Sequence, residues 1–209
     1  MVVCFGDSLT SGFQSPSLQN PTGKETPYGD FVAEAYRGVL EVRISGICGE
    51  LTGEMVRRFQ NDALRFGPSH VIILGGTNDL GCGLQPSEIH KNLVEMYEQS
   101  GRSGSVPIPV TVPSIRVEFD GESEGDAWAQ QHVDRRRALN DMIQEYACRK
   151  KLPLVDLFTA TAEPSTGRLA QQYSNDGIHL TTAGYRLFAR ILCEEVFAGI
   201  ILEPPESPS

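Results

Sequence analysis

A chain of 209 residues, 40% hydrophobic and 22% charged, has the length and composition of one folded domain with a sizeable core, which excludes the disordered and fibrous classes. Its net charge of -9 and pI near 4.9 disfavour nucleic acid and anionic membrane surfaces as partners. Cys4, Cys48, Cys82, Cys148 and Cys193 form no Cys-x-x-Cys pair, and His70, His90, His132 and His179 lie far apart, so neither a disulfide scaffold nor a metal site is expected, and no cofactor. No basic stretch followed by a long apolar one opens the chain, and no apolar run approaches the ~20 residues of a membrane span. With reduced thiols, this reads as a cytoplasmic protein.

Strand-like and helix-like segments alternate. Residues 2–5, Val-Val-Cys-Phe, read as a buried first strand. Thr26-Pro27 reads as a helix cap followed by proline at the first helical position, with Tyr28, Phe31, Val32, Ala35 and Val39 at helical spacing. Residues 40–44 are a second strand, and Val56, Phe59, Ala63 and Phe66 mark a helix over 52–66. Residues 71–74 form a β-branched run without alternation, as in a strand buried on both faces of a parallel sheet. Pro86-Ser87 opens a further helix, and residues 106–112 read as a strand weakened by Pro107 and Pro109. A helix through Leu139, Met142, Ile143 and Tyr146, starting near Asp126, leads to a fifth strand at 152–157. Thr182 is expected to cap the last helix, through Tyr185, Phe188, Leu192 and Val196. Residues 1–202 read as one domain, and 203–209 as a frayed, proline-rich tail. The order predicts an α/β fold, a mostly parallel sheet with helices on both faces.

Chemistry concentrates at the expected carboxyl ends of the strands, where open α/β sheets bind ligands. Gly6-Asp7-Ser8-Leu9 leaves the first strand sharply, which makes Ser8 a candidate nucleophile. His179, in Asp176-Gly177-Ile178-His179, supplies a base, and Asp176 three residues earlier can aim at one ring nitrogen. Taken singly, each motif also reads as ordinary turn or helix-entry structure. Gly46-Ile47-Cys48-Gly49 and Gly75-Gly76-Thr77-Asn78-Asp79 follow the second and third strands. The Ser8 and Gly49 amides and the Asn78 side chain are candidate donors to an oxyanion, with a plain turn for Gly49 and a helix cap for Asn78 as alternatives. Asp7 and Asp79 read as structural turn or cap residues. Thr10, Thr77 and the acidic run at 118–126 make the expected surroundings polar, which favours short acyl groups. The acidic run itself reads as a solvated loop.

Gly6-Asp7-Ser8-Leu9, Gly49, Gly76-Thr77-Asn78-Asp79 and Asp176-Gly177-Ile178-His179 stand in register with the four sequence blocks of the SGNH, or GDSL-type, hydrolases, which this chain resembles over roughly residues 2–198. The resemblance implies a flavodoxin-like three-layer α/β/α sandwich with a central five-stranded parallel sheet. It implies Ser8 as nucleophile, His179 as base and Asp176 as its orienter, with Ser8, Gly49 and Asn78 as the oxyanion hole. It also implies hydrolysis of a small-molecule carboxylic ester through an acyl-serine. A thioesterase or lysophospholipase of the same family, and a binding protein that has lost catalysis, are the alternatives. Cys48 stands where many members carry serine, and reads as filling a small buried pocket.

Overall fold

β1 (Val2–Gly6) runs into a single-turn helix, α1 (Ser8–Ser11), and α2 (Tyr28–Ala35) leads to β2 (Val42–Gly46). α3 (Thr52–Asp62) precedes β3 (His70–Leu74), which is followed by α4 (Thr77–Gly81) and α5 (Pro86–Arg102). β4 (Val106–Pro109), α6 (Ser123–Lys150), α7 (Leu157–Thr161) and α8 (Thr182–Ile191) complete the order, α8 continuing as a π-helical turn, Leu192–Val196. The structure, a computed structural model, describes residues 1–117 and 123–199. The expected tail at 203–209, and the acidic run between 118 and 122, lie outside the described residues. No described helix is long and apolar enough to cross a membrane.

The four strands form a parallel sheet in the order β2-β1-β3-β4. β1 sits centrally, Val2 opposite both Val42 and His70, and every residue of it is buried. Its side chains alternate between two cores, as the strand period requires. Val2 and Cys4 pack with Tyr28, Val32, Tyr185 and Phe188, the apolar faces of α2 and α8. Val3 and Phe5 pack on the other side with Met55, Phe59, Leu93, Met96 and Ile143 of α3, α5 and α6. Helices therefore cover both faces, and the strand ends open on one edge.

The fifth strand expected at 152–157 reduces to one bridge, Val110 opposite Val155. The cause lies in β4. Its amides alternate in direction: Val106 donates back to Ser69 beside β3, and Thr111 donates outward to Val155. Pro107 and Pro109 share the outward parity of Thr111 and carry no N–H, so the outer ladder has lost two donors. Beyond the bridge, Asp156 caps α7, accepting from the Thr159 amide, and the chain turns into helix at Leu157.

Smaller differences have equally local causes. β2 lies two residues later than expected. Thr181, not Thr182, caps α8 through its hydroxyl, while the Thr182 hydroxyl meets Gln14. α1, α4 and α7 span only four or five residues, too short for hydrophobic periodicity to register.

Two glycines set how closely the strand ends pack. A Cβ on Gly6 would stand 2.2 Å from the Leu74 carbonyl oxygen, and one on Gly46 would stand 2.2 Å from the Ser11 amide nitrogen. α1 therefore rests directly on the end of β2. Gly46→Ala is expected to push α1 off that seat and cost about 1–3 kcal/mol or more, since backbone has little room to yield; denaturant unfolding measures it.

Candidate active site

The edge formed by the ends of β1, β2 and β3 carries Ser8, the Gly49 turn and α4. Asp7 caps α1 by accepting the Leu9 amide at 2.9 Å, which fixes Ser8 as the first helical residue. Ser8 is largely buried, its hydroxyl facing His179.

Asp176 and His179 arrive in the turn before α8. Gly177 has φ +80°, and a Cβ there would meet the Arg116 carbonyl oxygen at 1.7 Å. That close approach is used: the Arg116 amide donates to the Gly177 carbonyl at 2.8 Å. Asp176 Oδ1 accepts the amides of Ile178 and His179 at 2.9 and 2.8 Å. Its Oδ2 receives His179 Nδ1 at 2.9 Å and the Ser15 hydroxyl at 2.6 Å. Burial pushes the Asp176 carboxyl up, but the bonds from the His179 ring, Ser15 and the two amides outweigh it and hold the carboxyl well below the usual carboxylate range. An ionised Asp176 keeps the proton on Nδ1, leaving Nε2 to face Ser8 Oγ at 3.2 Å. Phe13 packs edge-on against the imidazole, ring centroids 4.6 Å apart.

Gly49 has φ +78°, and a Cβ there would meet nothing within 4 Å. The glycine is therefore required by backbone conformation, and the space around it stays open. Asn78 lies in the first turn of α4, whose cap position is Gly76. Its side-chain nitrogen donates to the Glu50 carbonyl at 3.0 Å, which uses one of its two N–H bonds. The helix-cap alternative does not describe this side chain. Cys48 is exposed, its Sγ 3.4 Å from the Ser11 hydroxyl, so the expected buried pocket is corrected to a surface contact.

Arg58 of α3 underlies this edge. Its guanidinium forks onto both carboxylate oxygens of Glu50 at 2.6–2.9 Å, donates to the Ser45 hydroxyl at 2.7 Å and to the Gly6 carbonyl at 2.9 Å, and lies 4.0 Å over the Phe5 ring.

A cavity of about 390 Å³ opens beside Gly49 and Asn78, walled by Ile115, Val117, Trp128 and Ile178, with Thr77, His132 and Arg136 also lining it. It is more apolar than the sequence led one to expect. Thr10 does not reach it, being fully buried.

The site thus brings together Ser8, His179 and Asp176, with Gly49 and Asn78 at one side. Residues 4–187 match the GDSL-like lipase/acylhydrolase family. The chain belongs to that family. Membership makes it a member of a hydrolase family, in keeping with the α/β fold. It is similar to the uncharacterized lipoprotein YqeF of Bacillus subtilis, 28% identical over 225 aligned positions covering 97% of this chain and 90% of that protein. The lipase/acylhydrolase of Enterococcus faecalis is 26% identical, with a TM-score of 0.72 over 94% of this chain and 95% of the other. The M. smegmatis aryl esterase, 19% identical, shares the fold with a TM-score of 0.72 over 94% of this chain and 98% of its own. So does a carbohydrate acetylesterase of Sinorhizobium meliloti, 18% identical, with a TM-score of 0.71 over the same shares.

The cytoplasmic placement expected from the sequence does not stand. The Bacillus relative matched over nearly the whole chain is named a lipoprotein, which goes against it.

In this GDSL-like chain, sequence reading passed over Ser15, Arg58, Trp128 and Arg136. Ser15 and Arg58 carry no local motif. Trp128 and Ile178 stand out only in the folded structure, as large apolar residues left 44% and 40% exposed at the site. The two further acids of the motifs are structural, as expected. Asp79 accepts the Thr52 amide and hydroxyl, tying α4 to the start of α3.

Asp7 is fully buried with its Oδ2 unpartnered. Burial raises its carboxyl pKa to about 7, against the Leu9 amide that lowers it, with Asp79 adding repulsion. The folded protein therefore holds this proton where the unfolded chain, at about 3.9, has released it. Stability from this group falls as pH rises between about 4 and about 7. Asp7→Asn keeps an acceptor for the Leu9 amide and removes the charge. It is expected to raise the melting temperature at pH 8 more than at pH 4, and thermal melts across that window check it.

Proposed function

We propose that the protein is a serine esterase acting on small carboxylic esters through an acyl-Ser8 intermediate. The observation that supports it most is the chain of contacts from Ser8 Oγ to His179 Nε2 at 3.2 Å and from His179 Nδ1 to Asp176 Oδ2 at 2.9 Å. In this reading Ser8 Oγ attacks the carbonyl carbon as its proton passes to His179 Nε2. Asp176 holds the ring in the required tautomer and offsets the imidazolium charge. The carbonyl oxygen becomes an oxyanion facing the Ser8 and Gly49 amides and the second N–H of Asn78. Collapse expels the alcohol, which takes the proton from Nε2. A water then attacks the acyl-serine, giving its proton to Nε2, and the second collapse frees the acid and returns the proton to Ser8. Neutral imidazole accepts the proton in both halves of the cycle. Two structural neighbours are named an aryl esterase and a carbohydrate acetylesterase, so p-nitrophenyl and sugar acetates are the first substrates to try.

A fluorophosphonate probe should label Ser8 stoichiometrically, because an activated serine attacks phosphorus as it does carbonyl carbon. Mass spectrometry locates the adduct. A folded protein that takes none on Ser8 favours the binding-protein alternative.

Asn78→Ala is expected to lower kcat by about 10²–10³-fold, or about 2.7–4 kcal/mol, with a smaller change in KM, because the donor acts on charge present only in the transition state. Asn78→Asp is expected to be at least as damaging, since its carboxylate offers no donor and faces the Glu50 carbonyl. Steady-state kinetics on both folded variants decide it, and near-normal kcat in either removes Asn78 from the oxyanion site.

A further inference from the structure

Arg136 projects from α6 beneath the cavity beside Gly49 and Asn78, and it is 2% exposed. Its Nε donates to the Pro113 carbonyl at 3.1 Å and its Nη1 to the His132 carbonyl at 3.3 Å. Those carbonyls offer dipoles without a countercharge. Among the described residues no carboxylate pairs with Arg136, and no hydrogen bond engages its Nη2. A buried cation ordinarily has an anionic partner, because removing it from water is costly otherwise. Burial, then Arg135, pushes the guanidinium pKa down to about 10, which leaves it charged at neutral pH. Burial, then the positive neighbours Arg136 and Arg135, push His132 down, and its ring lies tilted against Trp128 with centroids 3.9 Å apart.

A second observation points into the same space. Thr77 lines the cavity, is 8% exposed, and its hydroxyl has no hydrogen-bond partner. Thr77 and a guanidinium with no carboxylate partner among the described residues therefore line one cavity of about 390 Å³, within the usual size of small-molecule sites. Its large apolar walls, Ile115, Val117, Trp128 and Ile178, suit a short carbon stem. The protein as a whole carries a net charge of -9, so its overall field does not draw anions here; the local cation has to.

We propose that this cavity is a subsite for an anionic group, and that the preferred substrate is an ester whose short carbon chain ends in a carboxylate or a phosphate-like group, received by the Arg136 guanidinium. The proposal rests on the esterase reading and names the substrate class for it. Arg136 acts as a specificity residue, away from the bond being broken.

The test compares kcat/KM for three p-nitrophenyl esters of matched length: the neutral valerate, the glutarate hemi-ester and the phosphonobutyrate. The expected result is that one anionic ester exceeds the valerate by about tenfold or more, the scale of a charge-assisted hydrogen bond, and which one identifies the anion. Arg136→Met should collapse that ratio, and Arg136→Lys should restore much of it. A valerate hydrolysed as well as both anionic esters, or a ratio unchanged in Arg136→Met, overturns the proposal. Should Arg136→Met not fold, the wild-type ratios and competitive inhibition by glutarate or inorganic phosphate still decide. Loss of valerate turnover in Ser8→Ala marks the esterase reading as sound. If no ester is hydrolysed and Ser8 takes no fluorophosphonate, that reading fails by itself. Calorimetric titration of wild type with glutarate and with inorganic phosphate then tests the subsite: binding supports it, and absence of binding overturns it.

Discussion

Arg58 holds the working edge of the sheet together. One guanidinium reaches the end of β1 at the Gly6 carbonyl, the end of β2 at the Ser45 hydroxyl, and both oxygens of Glu50. Glu50 in turn offers its carbonyl to Asn78. Two of the three candidate oxyanion donors, Gly49 and Asn78, are thus referred to a single side chain rooted in α3. The side chains of Arg58 and Glu50 are 13% and 6% exposed, so either charge without the other would be stranded. The bidentate fork is the geometry in which such a pair best offsets its desolvation, and a lysine could not reproduce its several directions.

The other half of the site depends on the two ends of the chain meeting. Ser15 and Asn175 join the loop after α1 to the turn before α8, Asn175 donating to the Ser15 and Pro16 carbonyls at 3.0 Å. Tyr185 of α8 donates to the Phe13 carbonyl at 2.6 Å, and Phe13 in turn packs on the His179 ring. The imidazole is therefore held from the ring edge, from Nδ1 and through its own backbone amide. In the proposed mechanism, a side chain fixed in three ways would need little rearrangement to receive a proton, which is how a preorganised site lowers its barrier.

Ser8, His179 and Asp176 were legible in the sequence because residue type and local spacing carry that chemistry, and the four blocks in register made the family readable. The alternating order of elements likewise followed from composition and period. What was not legible depends on tertiary distance. Arg58 sits in an amphipathic helix where a charged residue reads as solvated, and only folding brings Gly6 and Ser45 to it. Arg136 and Trp128 lie on a long helix beside many charges, and nothing local marks which face meets the site. The loss of the fifth strand was half-visible: Pro107 and Pro109 weaken β4 in any reading, but that both missing donors point to the same side emerges only once β3 has claimed the other.

Those two prolines bear on more than strand count. β4 is the last strand of the sheet on its side, and an edge strand with free amides is a template on which another chain can add itself. At 107 and 109 there is no N–H to offer, and the next outward donor, Thr111, is already committed to Val155. The feature that cost the sheet a regular fifth member also leaves its margin short of donors. The strand ends thus stay open for the site, while along β4 an added strand would find no free N–H at 107 or 109.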